Sequence, residues 1–261
     1  MYIVIVCLIV LLCFCMVMLK EAFRNQIIEE NISLADFPKQ FGELSFYFIS
    51  DIHRREISQA MLNQVIERAE FVIIGGDFTE KWVPLKRMDE NLRKLSQIGP
   101  IYFVWGNNDE EVGVSTLTRL FNKYDVCMLR NKEVQLKKNH QMIRLVGVDD
   151  LSRWPAPIHT FIDESDKKYC TILISHNPEI IRYLMPKDHV SLILSGHTHG
   201  GQIRVCGFGP YTHGGIYEKN GKIQLISNGY GTTLLPFRLG AKAQTHLITL
   251  SNKNAAKEAQ F

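Results

Sequence analysis

SLILSGHTHGGQ, residues 191–202, carries the pattern from which the fold can be inferred. A short run rich in Leu and Ile reads as a buried β-strand, and it stops at Ser195–Gly196. His197 and His199 follow at once, set between glycines. Side chains two apart leave an extended backbone on the same side, so both imidazoles can reach one small volume.

Working outward, the same theme recurs along the chain. TILIS (171–175) leads into His176, and FYFIS (46–50) leads into Asp51 and, two residues on, His53. FVII (71–74) passes through Gly75 and Gly76 into Asp77. IYFVW (101–105) passes through Gly106 into Asn107, with Asp109 close behind. MIRLVGV (142–148), IQLIS (223–227) and HLITL (246–250) read as further strands, and the amphipathic stretches 58–70 and 87–98 as covering helices. Strands alternating with helical stretches predict an α/β architecture, and near-continuous apolar runs predict sheets covered on both faces. Residues 200–222 are glycine-rich and read as a long functional loop or hairpin.

A lone Asp or His after a strand is an ordinary turn residue or cap. Here successive strand ends each deliver an oxygen or imidazole donor, and in α/β sheets the functional crevice lies outside the carboxyl ends of the strands. Asp51, His53, Asp77, Asn107, His176, His197 and His199 are therefore expected to converge as metal ligands. They are too many for one ion and suit two that share a carboxylate. The set holds carboxylate, amide and imidazole but no thiolate, which favours manganese, with iron or zinc next, over a structural zinc. The six cysteines include no CxxC pair, which argues against a disulfide framework and fits a reducing compartment.

Residues 1–19, MYIVIVCLIVLLCFCMVML, carry no charged side chain. As a helix they would span ~28 Å, close to the hydrocarbon thickness of a bilayer. They lack the basic n-region and small-residue cleavage site of a signal peptide. Lys20 and Arg24 follow the span, so the positive-inside rule places the rest of the chain in the cytoplasm. The expected division is a single-pass transmembrane anchor over 1–22, a juxtamembrane linker over 23–41, a catalytic domain over 42–250 and a polar tail over 251–261. A net charge of +3, with scattered Lys and Arg, gives no support for nucleic-acid binding. Oligomeric state is not legible.

The motifs DIH (51–53), GGD (75–77), GNND (106–109), SHNPE (175–179) and GHTHGGQ (196–202) together resemble the calcineurin-like metallophosphoesterases. GHTHGGQ and NGYGTTLLPFRLGA (228–241) resemble the membrane-associated bacterial branch that includes UDP-2,3-diacylglucosamine pyrophosphatase-like enzymes. The resemblance implies a four-layer α-β-β-α sandwich behind one N-terminal transmembrane helix. It implies one metal site of Asp51, His53, Asp77 and His199 and a second of Asp77, Asn107, His176 and His197, bridged by Asp77. Two divalent ions would clamp the phosphoryl oxygens and acidify a water that attacks phosphorus in line. The family pattern carries His where this chain has Asn108. An amide donates a hydrogen bond but supplies no proton, which shifts the expectation toward good leaving groups such as pyrophosphate.

Asp77, Asn108 and His197 form the expected catalytic set. Arg54, Arg55 and Arg238 are candidate phosphate contacts, each against a reading as solvated or structural charge. His213 is the only further histidine kept as a substrate contact, since His140, His159, His189 and His246 lack the strand-end context. Asp149 and Asp150 read as turn residues. Trp82, Val83 and Leu85 read as a core anchor ahead of a lipid-facing patch. The main expectation is a membrane-anchored hydrolase of a phosphoester or pyrophosphate, with a lipid-linked phosphate as one substrate class and membrane lipid as neighbour. The rivals are a tethered phosphodiesterase for soluble nucleotides and a non-catalytic scaffold.

Overall fold

The computed structural model describes residues 1–151, 162 and 169–254. After helix α1 (Tyr2–Ala22), the chain builds two six-stranded sheets. The first holds β1 (Ile27–Leu34), β2 (Leu44–Ile49), β3 (Val72–Ile74), β4 (Ile101–Phe103), β5 (Cys127–Met128) and β12 (Thr245–Asn252), in the order β1-β12-β2-β3-β4-β5. The second holds β6 (Lys132–Lys138), β7 (Gln141–Gly147), β8 (Cys170–Ile174), β9 (Leu192–Ser195), β10 (Gly215–Lys219) and β11 (Lys222–Ile226), in the order β10-β11-β9-β8-β7-β6. β2 to β5 run parallel, as do β7, β8, β9 and β11.

Period-2 alternation explains the layering. Phe46, Phe48 and Ile73 point into a core shared with Ile172, Leu192 and Leu194 of the other sheet. Tyr47, Ile49, Val72 and Ile74 point the opposite way, onto α2 (Gln59–Leu62), α3 (Leu85–Leu95) and α4 (Val114–Asn122) through Met61, Leu92, Leu117 and Phe121. Leu173 and Ile193 face a third cluster with Ile162, Ile180 and Leu184. Each central strand is apolar on both faces because each face is covered, the expected sandwich of two sheets between outer layers.

The eight strands legible in the sequence form, each within two residues of its expected ends. β1, β5, β6 and β10 are not among those eight. The segment 23–41, read as a linker, carries β1, which pairs parallel with β12 from Ile27↔Thr245 to Leu34↔Asn252. Only Ile32 and Leu34 of β1 are buried, so its alternation is short and weak in isolation. β12 runs on to Asn252, and the tail from residue 255 and His159 lie outside the described residues. Val83 is buried, but Trp82 and Leu85 are exposed, so only one of the three is a core anchor. The cysteines among the described residues are all free.

His246, on β12 opposite Phe48, is buried, and desolvation holds its imidazole down to about 3. Below pH 6.5 the unfolded chain takes up a proton that the folded chain refuses, so stability falls as pH drops from 6.5 toward 3. At pH 5 the loss is about 2 kcal/mol. His246→Leu should remove about that much of the difference in unfolding free energy between pH 7 and pH 5. Urea titrations in detergent at the two pH values measure it, and an unchanged difference would place the acid sensitivity elsewhere.

Candidate metal centre

The parallel strands of both sheets end at one crevice. Asp51 and His53 follow β2, Asp77 follows β3, Asn107 follows β4, His176 follows β8, and His197 and His199 follow β9. Asp51, His53, Asp77, His197 and His199 all sit in left-handed backbone, with φ of 54°, 52°, 48°, 70° and 50°. Each such non-glycine residue costs ~1–3 kcal/mol, and strain of this kind persists where surrounding structure imposes it, commonly at functional sites. Two glycines allow the strands to come this close. A Cβ on Gly196 would lie 2.4 Å from Asp51 Oδ2, and one on Gly106 would lie 2.3 Å from Asp77 Oδ1.

The donor atoms converge tightly. His53 Nε2 is 3.0 Å from His199 Nε2 and 3.7 Å from Asp77 Oδ2. His176 Nε2 is 3.3 Å from Asp77 Oδ2 and 3.2 Å from His197 Nδ1. His199 Nε2 is 3.5 Å from Asp51 Oδ1. Two groups of ligand atoms each lie within 4.8 Å of one another: Asp51, His53 and His199, and Asp51, Asp77 and His176. Asp77 Oδ2 lies between His53 and His176, where a bridging carboxylate belongs.

The chemistry of these donors fits divalent ions. Asn107 Oδ1 is buried without a hydrogen-bond partner, while its amide nitrogen donates to Asn108 Oδ1 at 2.9 Å. A buried acceptor left unpaired is costly unless something electropositive meets it. His176 Nδ1 is 2.9 Å from the Gly75 carbonyl, and His53 Nδ1 is 2.9 Å from Glu80 Oε2. Partners on Nδ1 leave each Nε2 lone pair for a metal, the usual outer-shell arrangement of ligating histidines. Burial opposes protonation of His176, yet the Asp77 charge pushes it up to about 10. Burial opposes ionisation of Asp77, yet His176 draws it down to about 2. The pocket therefore demands positive charge, which a cation would supply in place of the proton.

The structure separates the other candidates. Asn108 lines the same cavity of about 220 Å³ as His53, Asp77, Asn107, His197 and His199. Its backbone N–H donates to Asp77 Oδ1 at 2.8 Å, and its side-chain amide donates to Glu111 at 3.3 Å. Arg54 pairs with Glu80 and is largely exposed beside the site. Arg55 does not face the cavity. Its guanidinium donates to the carbonyls of Ala22, Phe23, Arg24 and Tyr230 and to Asn25, which occupies it as a clamp on the end of α1. Arg238 is fully buried behind His199, donating to the carbonyls of Asn228, Gly231 and Ala241, so it braces the site without reaching it. His213 has its two ring nitrogens at the Gly214 and Gly240 carbonyls, 2.8 and 3.1 Å away, and does not line the cavity.

Two carboxylates of the site are not singled out by the sequence reading. Glu80 holds His53, and the buried Asp109 accepts from the N–H groups of Gly106 and Thr79 at 2.8 and 3.1 Å, tying the β3 and β4 loops together. The GNND motif places Asp109 one residue past the amide pair, and nothing in the local pattern marks Glu80.

A sequence model described as calcineurin-like phosphoesterase matches residues 44–201. Uncharacterized protein YpbG of Bacillus subtilis (strain 168) is 46% identical over 209 residues, covering 79% of this chain and 81% of that protein. Phosphodiesterase YaeI of Escherichia coli (strain K12) is 24% identical over 188 residues, covering 66% of each chain. Among solved structures, a 5'-nucleotidase precursor from Thermus thermophilus shares the fold with a TM-score of 0.54 at 14% identity. That likeness covers 84% of this chain and 57% of the other.

Asp77→Asn should abolish turnover and lower bound metal, because it removes the charge between the two histidine groups. Glu80→Gln should weaken metal binding by about 10–100-fold through the loss of the His53 partner. Metal content after dialysis, measured by mass spectrometry beside aryl-phosphate hydrolysis, checks both. An Asp77→Asn protein with two ions and full activity would sink the bridging assignment.

Proposed function

The chain belongs to the calcineurin-like phosphoesterase family, and from that membership we propose a membrane-anchored hydrolase that cleaves phosphoester or pyrophosphate bonds with good leaving groups. The observation that carries this reading is the convergence of donors from Asp51, His53, Asp77, His176, His197 and His199 at one crevice, whose lining also includes Asn107 with its buried, unpartnered Oδ1. Asp51, His53, Asp77 and His199 would hold one divalent ion, and Asp77, Asn107, His176 and His197 the second. Such ions supply Lewis-acid charge to a phosphoryl group and acidify water, and an oxygen- and nitrogen-rich set suits manganese ahead of iron or zinc.

The chain's own residues do the rest. Asp77 keeps its carboxylate ionised between His53 and His176, so near neutral pH it is available to a cation that displaces the His176 proton. Asn108, held by Asn107 and Glu111, presents an amide at the cavity wall, able to donate a hydrogen bond to a phosphoryl or departing oxygen without giving up a proton. Arg54, beside the site and mostly exposed, is the one arginine of the three still able to meet a substrate phosphate. A second recess shares His197, Thr198 and Tyr211 with the first and is lined further on by Arg182, Tyr217 and Lys219. Two joined recesses suit a diester or pyrophosphate, which carries a substituent on each side of the reacting phosphorus.

Helix α1, about 31 Å long over its 21 residues, is exposed along most of its length and uncharged as far as Leu19. We read it as a transmembrane anchor, with Lys20 and Arg24 placing the domain on the cytoplasmic side. Protease added to intact cells or protoplasts should then leave the domain whole. Digestion of the domain while a cytoplasmic control survives would reverse the orientation.

Without a proton donor at position 108, activity should fall steeply as leaving-group pKa rises. A general acid typically contributes about 10²–10⁴ in rate, most where the departing oxygen is most basic. Asn108→His should flatten the dependence, rescuing alkyl phosphates more than aryl esters or pyrophosphates. The measurement is log kcat/KM against leaving-group pKa for both proteins, with chemistry confirmed as rate-limiting. Parallel slopes would remove the main physical support for a pyrophosphate preference.

A further inference from the structure

Helix α1 is not joined to the domain by a loose tether. The carbonyl of its last residue, Ala22, and those of Phe23 and Arg24 just beyond it accept from Arg55, whose guanidinium also lies 3.7 Å over the Tyr230 ring. Higher on the helix, Arg238 N–H donates to the Met18 carbonyl at 3.1 Å, and Met18 and Ala22 are buried against the domain. Met18 belongs to the uncharged run that ends at Leu19. If that run spans a bilayer, the backbone at residue 238 lies at the depth of the helix's last apolar turn.

The loops attached there carry exposed apolar side chains. Leu234 is 88% exposed and Leu235 62%, and Leu234 holds a left-handed φ of 59° that presents its side chain outward. Alongside runs residues 202–208, joined through Leu239 N–H to Gln202 O at 3.0 Å and closed at its tip by paired Val205 and Phe208. Ile203, Val205 and Phe208 are exposed, Phe208 at 83%. Gln202 locks the two loops together, donating to the Thr233 and Leu235 carbonyls at 3.2 and 3.0 Å and accepting from Thr233 N–H at 3.0 Å. Lys20, two residues past Met18 on the docked helix, and Lys242, four residues past Arg238, are exposed. An exposed apolar patch, with exposed lysines on the segments attached to it, has the composition of a surface that rests in a lipid headgroup layer.

We propose that the loops 203–208 and 233–236 form a second membrane contact, seated in the bilayer surface beside α1. The partner is the lipid surface itself, because the patch adjoins the helix where that helix leaves its apolar run. The consequence reaches the metal centre, because Gln202 and Thr233, which open these loops, also line its cavity. The site therefore opens against the membrane and takes phosphate esters of amphiphiles whose apolar part stays in the bilayer. This rests on the reading of α1 as a membrane anchor.

The test is spin labelling of the full chain in nanodiscs of phosphatidylcholine and phosphatidylglycerol, with the exposed native cysteines replaced by alanine. Labels go in turn at Phe208→Cys, Leu234→Cys, Ile9→Cys within α1, and Asn139→Cys on the exposed turn between β6 and β7. Collision with oxygen, which concentrates in the bilayer, is compared with collision by a water-soluble nickel chelate. Labels at 208 and 234 should favour oxygen several-fold over the label at 139 and approach the label at 9. If 208 and 234 match 139 while 9 lies in the bilayer, the second contact is overturned and the anchor stands. If 9 is also in water, the anchor reading fails and takes the contact with it. The readout is independent of turnover, so an error about the chemistry would leave it unchanged. In activity assays, Phe208→Ser with Leu234→Ser should lower kcat/KM at least tenfold on a vesicle-borne phosphate ester and leave a water-soluble aryl phosphate unaffected. Equal loss on both substrates, or on neither, counts against the proposal.

Discussion

The structure depends on keeping two buried carboxylates, Asp51 and Asp77, within reach of four imidazoles at the meeting point of two sheets. Buried negative charge is tolerable only when paired, and here protonated histidine or a bound cation must provide the pairing. The demand explains features that look separate. The left-handed backbone at five of these residues aims their side chains inward, and Gly106 and Gly196 let the neighbouring loops close to distances that a Cβ would forbid. Glu80, the Gly75 carbonyl and Arg238 hold the histidine rings from behind. The apolar strands supply the rigidity against which that strain is held, since each is packed on both faces.

The same logic separates three arginines that look alike in sequence. A guanidinium carries five donors and is used wherever several acceptors converge. Arg55 meets the carbonyl end of α1, Arg238 meets the carbonyls of the loop behind His199, and Arg54 alone remains largely exposed next to Glu80. Two of the three are thereby structural, and they connect the helix, the loop 228–241 and the metal centre into one rigid unit. Rigidity here has a functional side. A helix fixed to the domain at Met18 and at its C-terminus sets how the crevice is turned relative to the helix axis, which a flexible linker could not do.

Asn108 illustrates how one substitution against a family pattern can be read twice. By chemistry, it removes a proton donor. By geometry, it accepts from the Asn107 amide nitrogen and so fixes a side chain whose buried Oδ1 has no hydrogen-bond partner. The residue is thus tied to the orientation of the Asn107 side chain, which only its hydrogen-bond partners reveal.

The strands and the donor residues at their ends are legible in the sequence, because both are local signals. A buried parallel strand is a short apolar run, and the residue after it either bears a donor or does not, so Asp51, Asp77, Asn107, His176 and His197 were legible one strand at a time. Edge strands were not: β1 buries only Ile32 and Leu34, and it exists as a strand because β12, more than two hundred residues away, lies beside it. The fates of Arg55, Arg238, Glu80 and Asp109 were equally hidden, since a long or charged side chain reads the same in solvent as in a buried network. Tertiary structure decided those, because a charged group takes its role from the atoms that surround it, and those atoms come from distant parts of the chain.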